Sequence, residues 1–197
     1  MINITYGKTL KIQTGASFSD IRYNIFNKIT YNDNRLKQPI FIGVDYFDHQ
    51  YYNVSTNIGY VIKAEEENVS QEWKDMGYPY CKNELEYISF NTTIDFKYPI
   101  YKKIIPFVSI GPRFDFLTHN TQKFQLYKPE YLNDIIYGVI IGCGIKYDFE
   151  KIQIGARIDY YHNFNEIAKW PGGDIMSEGG NIKDKTYTFN FVIGYKF

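Results

Sequence analysis

The sequence predicts an all-β fold: an eight-stranded antiparallel up-and-down transmembrane β-barrel with short periplasmic turns and four long extracellular loops. Three observations carry this reading. Eight segments alternate apolar and polar residues at a period of two, as a strand with one apolar and one polar face does. Each is about 10 to 14 residues long, against ~5–6 in soluble proteins and ~9–11 for a tilted strand crossing a bilayer. The connections hold 19, 3, 20, 5, 16, 4 and 23 residues, so long and short alternate without exception. A membrane barrel has this asymmetry, with tight turns on one side of the bilayer and extended loops on the other.

Residues 1–9 are expected to form a short periplasmic lead-in to the first strand, Leu10–Ser19. The second, Pro39–Asp48, sets Ile40, Ile42 and Val44 on one face. Tyr52–Ala64 opposes Val54, Thr56, Ile58, Tyr60 and Ile62 to Ser55, Asn57 and Lys63. In Leu85–Tyr98, Ile88, Phe90, Ile94 and Phe96 face away from Ser89, Asn91, Thr93, Asp95 and Lys97. Ile104–Leu117 separates Val108, Ile110, Phe114 and Phe116 from Ser109, Gly111, Arg113 and Asp115. Asp134–Tyr147 separates Val139, Ile141, Cys143 and Ile145 from Gly138, Gly142, Gly144 and Lys146. Ile152–His162 sets Ile152, Ile154, Ala156 and Ile158 against Gln153, Gly155, Arg157 and Asp159. The last strand, Thr186–Phe197, puts Tyr187, Phe189, Phe191, Ile193, Tyr195 and Phe197 on one face, with Val192 the one apolar residue opposite. An even strand number returns both termini to the short-turn side, and residues 1–197 are read as one barrel domain.

Composition agrees. Twenty Tyr and fifteen Phe favour strands, and tyrosines near strand ends suit interfacial girdles. The formal net charge is zero, without the basic excess of a nucleic-acid binder. Apolar runs are too short for a transmembrane helix, and a mean hydropathy of −0.38 is compatible with a barrel whose strands alternate. Met1–Tyr6 has neither the charged nor the apolar region of a signal peptide, which is therefore expected to have been removed from an exported chain. Cys81 and Cys143, far apart in sequence, do not suggest a structural disulfide.

Several stretches carry a family likeness: Ile104–Phe116, Tyr137–Tyr147, Ala156–Tyr160, Gly194–Phe197 and the opening Ile12–Phe18. Through them the chain resembles the PorT-like outer-membrane β-barrel family common in Bacteroidota. The resemblance implies an outer-membrane location and insertion by the barrel-assembly machinery, for which a C-terminal aromatic acts as a signal. Phe191, Ile193, Tyr195 and Phe197 occupy that position. It implies no catalytic residue and no cofactor.

Alternation does not say which face is inside. Loop asymmetry and the aromatic terminus favour apolar-out, against a soluble ligand-binding barrel with the opposite polarity. The inward face then carries a charge network of Lys63, Asp95, Lys97, Arg113, Asp115, Lys146, Arg157 and Asp159, with Gly138, Gly142 and Gly144 leaving room for long side chains. An eight-stranded barrel is only wide enough to be filled by side chains, so a salt-bridged plug is favoured over a relay or filter. His49, His119 and His162 have no metal-ligand spacing, and Ser109 has no histidine near it in sequence, so neither metal nor catalytic residues are expected. Trp170-Pro-Gly-Gly-Asp174 reads as a loop without the lysine of a phosphate-binding motif. The first long loop is slightly basic and the second acidic; solvated loops are the default reading, and mutual packing, divalent-cation bridging of head groups or a partner protein are the alternatives. The sequence thus supports a non-enzymatic outer-membrane barrel, in contact with outer-membrane lipid, that binds a ligand or protein partner at its loops or serves as an accessory subunit. The alternatives are a narrow solute pore and, less supported, a lipid-modifying enzyme.

Overall fold

The computed structural model describes residues 8–25, 28–31, 33–34, 36–67, 81–98, 100, 103–122, 129–171 and 179–197. The strands are β1 (Thr9–Ile25), β2 (Lys28–Tyr31), β3 (Asp33–Asn34), β4 (Ile40–Asp48), β5 (Tyr52–Glu67), β6 (Cys81–Lys97), β7 (Ile104–Gln122), β8 (Ile135–Asp148), β9 (Ile152–Asn163), β10 (Ala168–Trp170) and β11 (Gly180–Lys196). A 3₁₀ turn, Pro129–Tyr131, precedes β8. Eight long strands form one antiparallel sheet in the order β1-β4-β5-β6-β7-β8-β9-β11, and β11 pairs back to β1 from Thr9–Lys196 to Asn24–Asn181. The sheet is therefore a closed eight-stranded barrel, which leaves no edge. The short strands β2, β3 and β10 add to β1, β5 and β11 at the long-loop end.

Strand existence and order follow the alternation, but the ends differ in one direction. β1 runs to Ile25, β5 to Glu67 and β7 to Gln122, while β6 starts at Cys81 and β11 at Gly180. All these extensions lie at the long-loop end. There both faces of a strand can be polar, so the period-two signal fades although the hydrogen-bonded ladder continues.

The two faces separate as predicted. The polar-face residues assigned above are buried, with Lys97, Gly111, Gly144 and Gly155 half-buried, and Val192 is inside with them. Outside, Ile12, Ile42, Ile58, Phe90, Val108, Ile145, Ile154, Phe191 and Ile193 are exposed. This belt runs right around the wall, whereas apolar patches on soluble monomers rarely exceed a few hundred Å², so lipid must cover it. Paired rings bound it, Phe47–Tyr52 and Tyr147–Phe149 near the short turns and Tyr160–Tyr187 near the long loops, at centroid separations of 5.7, 4.7 and 5.1 Å.

Cys143 is a free thiol exposed within this belt, between Val108 and Ile158 on the flanking strands. In a background where Cys81 is alanine, a lipid-soluble maleimide should label Cys143 in vesicles and a membrane-impermeant one should not, as read by intact mass. Equal labelling by both reagents would place the residue in water.

Candidate functional site

The lumen is built from the inward positions of the eight long strands, and it is stratified. At the short-turn rim Lys97 pairs with Asp48, and Lys196 Nζ lies 2.6 Å from Asp148. Above the rim, Lys11 Nζ donates to Asp45 at 2.6 Å and to Ser55. Lys146 Nζ donates to Asp95 at 3.1 Å and stands 3.6 Å from Asp45. Arg157 grips Asp159, with Nε 2.8 Å and Nη2 2.6 Å from the carboxylate, and Nη2 also reaches Ser109 at 3.2 Å. Gln13 donates to Asn57 and Asn57 to Asn91, at 2.7 and 2.8 Å. Positive and negative groups thus alternate through this lower layer, as buried charges must to offset their lost hydration.

Next comes an apolar layer of Phe41, Val61, Ile140 and Tyr161. The cavity between it and the lower layer measures about 10 Å³, space for roughly one water. A second charged layer follows. Arg113 donates to Asp115 at 2.7 Å and to Asn163, and its guanidinium carbon sits 4.3 Å from the Tyr161 ring centre. Lys63 Nζ lies 2.8 Å from Asp184 and 3.6 Å from Asp115. Arg113 Nε and Asp115 Oδ1 have no hydrogen-bond partner among the described residues. An apolar cap closes the long-loop end: Ile21, Leu85, Tyr87, Ile136 and Ile182 from the wall pack with Ile167 and Ala168, with Leu132 and Trp170 against them.

The predicted charge network is therefore divided. Asp95 with Lys146 and Arg157 with Asp159 fall in the lower layer. Arg113, Asp115 and Lys63 fall in the upper one, and Lys97 stands apart at the rim. Sequence reasoning missed Asp48 at the rim and three members of the two inner layers. Lys11 and Asp45 occupy inward positions of strands whose alternation was already legible, so parity could have found them. Asp184 lies in the part of β11 where that signal fades.

Two glycines of β8 do make room for larger neighbours. A Cβ on Gly142 would meet Asp159 Oδ1 at 2.1 Å, and one on Gly144 would meet the Phe107 ring at 2.6 Å. Backbone is close at two of the β8 glycines as well: the Ala156 carbonyl oxygen lies 2.4 Å from the added carbon at Gly144, and at Gly138 the nearest neighbour is the His162 carbonyl oxygen, 1.9 Å away. Gly59 admits the Phe41 ring in the same way. The small residues are holes into which the plug is keyed.

Of the histidines, His49 stacks on Tyr52 at 4.9 Å, His162 Nδ1 is 3.4 Å from the Tyr160 hydroxyl, and His119 is exposed. Ser109 is held by Arg157. No group of three His, Cys, Asp or Glu side chains is placed to hold a metal among the described residues. On the terminal strand, Phe191, Ile193, Tyr195 and Phe197 all face outward and are exposed.

A family model described as an outer membrane protein beta-barrel domain matches residues 1–169. No curated protein matches the chain. Among solved structures, the chain is similar to the outer membrane protein OprG of Pseudomonas aeruginosa, with a TM-score of 0.61 and 10% identity over 100% of this chain and 99% of that one. It is also similar to the outer membrane protein AlkL in lipid bilayers, with a TM-score of 0.54 and 12% identity over 100% and 93%. At these identities the likeness is one of fold.

Proposed function

We propose, from the premise that this chain belongs to the outer membrane protein β-barrel domain family and lies in the bacterial outer membrane, that it is a sealed, non-enzymatic barrel acting through its extracellular loops. On this reading the loops bind a ligand or protein partner, or dock the barrel as an accessory subunit of a membrane complex.

The filled lumen carries the reading. An ion would have to pass two layers of paired charge, the Phe41–Val61–Ile140–Tyr161 layer and the apolar cap, and the cavity among them has space for about one water. The strand extensions give the loops a firm base. Asp33–Asn34 of the first long connection pairs with Glu65–Glu66 of β5, and Lys37 is bonded to Glu84 across the same region. The PorT-like likeness of the strand motifs belongs to this reading too. So does a role for Phe191, Ile193, Tyr195 and Phe197 as the signal read by the barrel-assembly machinery.

Reconstitution into planar bilayers tests the seal. The wild-type barrel should pass no steady current under voltage. Regular single-channel steps, altered when Arg113 or Arg157 is made neutral, would replace this reading with that of a narrow pore. Purification from native membranes in mild detergent should bring down a stoichiometric partner if the barrel is an accessory subunit.

A further inference from the structure

We infer that the outer wall carries a binding site for the phosphate-bearing headgroup of an outer-leaflet lipid, formed where β9 parts from β11 and built around Arg22, Lys183 and Lys185. The β9–β11 ladder ends at the pair His162–Lys185. Pairing to β11 resumes only with β10, at Ala168–Ile182, and Ile167 N–H donates to Ile182 O at 2.8 Å. The segment between, residues 163–166, arches away from Lys183 and Asp184. It leaves a hollow of about 380 Å³ that Arg22, His162, Lys183 and Lys185 border.

These four residues share the outward parity of their strands with Phe18, Ile158 and Tyr187. They also stand against one another. Arg22 is directly opposite Lys183, and Lys185 is directly opposite His162. Arg22 and Lys183 are like charges on facing positions, an arrangement that costs stability and that an anion lying between them would relieve.

The internal acids meet this need only in part. Asp20 binds Arg22 at 2.6 Å, and Glu166 lies 3.7 Å from Lys183. Lys185 has no charged partner among the described residues: the Asp20 opposite it is turned to Arg22. At the back of the hollow, Asp184 is already engaged by Lys63, Asn163 and Thr186. Lys185 therefore brings an uncompensated charge to the edge of the hollow, with the cations of Arg22 and Lys183 beside it.

Its height in the membrane selects the ligand. The next outward-facing pair below His162–Lys185 is Tyr160–Tyr187, whose rings lie 5.1 Å apart in the long-loop girdle. Aromatic girdles mark the interface of the bilayer, so cations one step beyond are at headgroup level. With the long loops extracellular, that leaflet is the outer one. Phosphate is the anion a lipid presents there, and two or three cations arranged around a concavity suit it.

The test compares protein in phosphatidylcholine nanodiscs with protein in discs where a tenth of the lipid is diphosphoryl lipid A, followed by transfer to mild detergent and native mass spectrometry. Wild type should retain lipid A in preference to phosphatidylcholine. The variant R22Q/K183Q/K185Q should lose roughly tenfold or more of that retention, given the attraction each surface cation exerts on an anionic headgroup. The single variant K185Q should lose part of it. K103Q/K151Q, altered at the short turns, should behave as wild type. Circular dichroism checks that each variant keeps its barrel, and K185Q decides the matter should the triple variant not fold. Equal retention by wild type and K185Q together with the triple variant overturns the site. Binding of inorganic phosphate in phosphatidylcholine discs, without retention of lipid A, also overturns it, because the ligand would then be a soluble anion.

Discussion

Replacing Arg157 with alanine should lower the unfolding free energy by about 3–5 kcal/mol, the cost of removing one partner of a buried ion pair. Arg157 and Asp159 are buried in the wall of the lower layer, and all three contacts that the guanidinium makes with the carboxylate are 3.0 Å or shorter. Without the arginine, the buried Asp159 carboxyl has lost its ion-pair partner, and Ser109 loses its donor as well. Arg113→Ala should cost less. Its Nε and Asp115 Oδ1 already have no hydrogen-bond partner among the described residues, and Lys63 remains 3.6 Å from Asp115 after the change. Urea unfolding in lipid vesicles, followed by tryptophan fluorescence, measures both. The double variant R157M/D159L separates charge from volume: replacing a whole buried pair by apolar side chains is often neutral or stabilising. If the double variant falls as far as Arg157→Ala, the pair matters by its packing and not by its charge.

The fold was legible because a membrane barrel writes its topology in two independent signals. Side-chain parity marks which face is lipid-exposed, and connection length marks which side of the membrane each turn lies on. Val192 illustrates the strength of the first. It breaks the chemical pattern of the last strand, yet it keeps the inward position its parity assigns and is buried. The charged plug was legible only by face and not by height. Asp115 and Asp159 are both inward, but strand tilt and stagger put them in different layers on either side of Phe41 and Tyr161. A single sequence does not state the stagger, so Lys63, Asp95 and Lys97 read as one network when they belong to three levels. The apolar cap was harder still. Ile167 and Ala168 lie in a long connection without alternation, and they are buried only because the chain returns over the mouth to meet Ile136 and Ile182.

Gly111→Ala should be severely damaging for so small a substitution in the wall, and the reason lies in how closely β6 and β7 approach. A Cβ at Gly111 would sit 1.8 Å from the Thr92 carbonyl oxygen and 2.8 Å from Thr93 Cα, which are both backbone atoms. The β6–β7 ladder is interrupted at this point, passing from Asn91–Arg113 to Ile94–Ile110. Pro112, next along β7, has no N–H to donate there. The strands are thus held close without the hydrogen bonds that would keep an ordinary pair in register. An added methyl has nowhere to go unless the strands part, and in a closed sheet the displacement must pass to every neighbour. The cost should reach or exceed the upper end of the ~1–3 kcal/mol usual for overpacking. Gly194→Ala is the matched control. There the nearest atom to the added carbon is Thr9 Cγ2 at 2.7 Å, the end of a side chain that can rotate. The folded fraction after refolding into detergent micelles, read from the heat-dependent gel shift of the barrel, should fall for Gly111→Ala and change little for Gly194→Ala. Equal folding of the two would mean that β6 and β7 yield freely at this rung, and that the close approach does not constrain the wall.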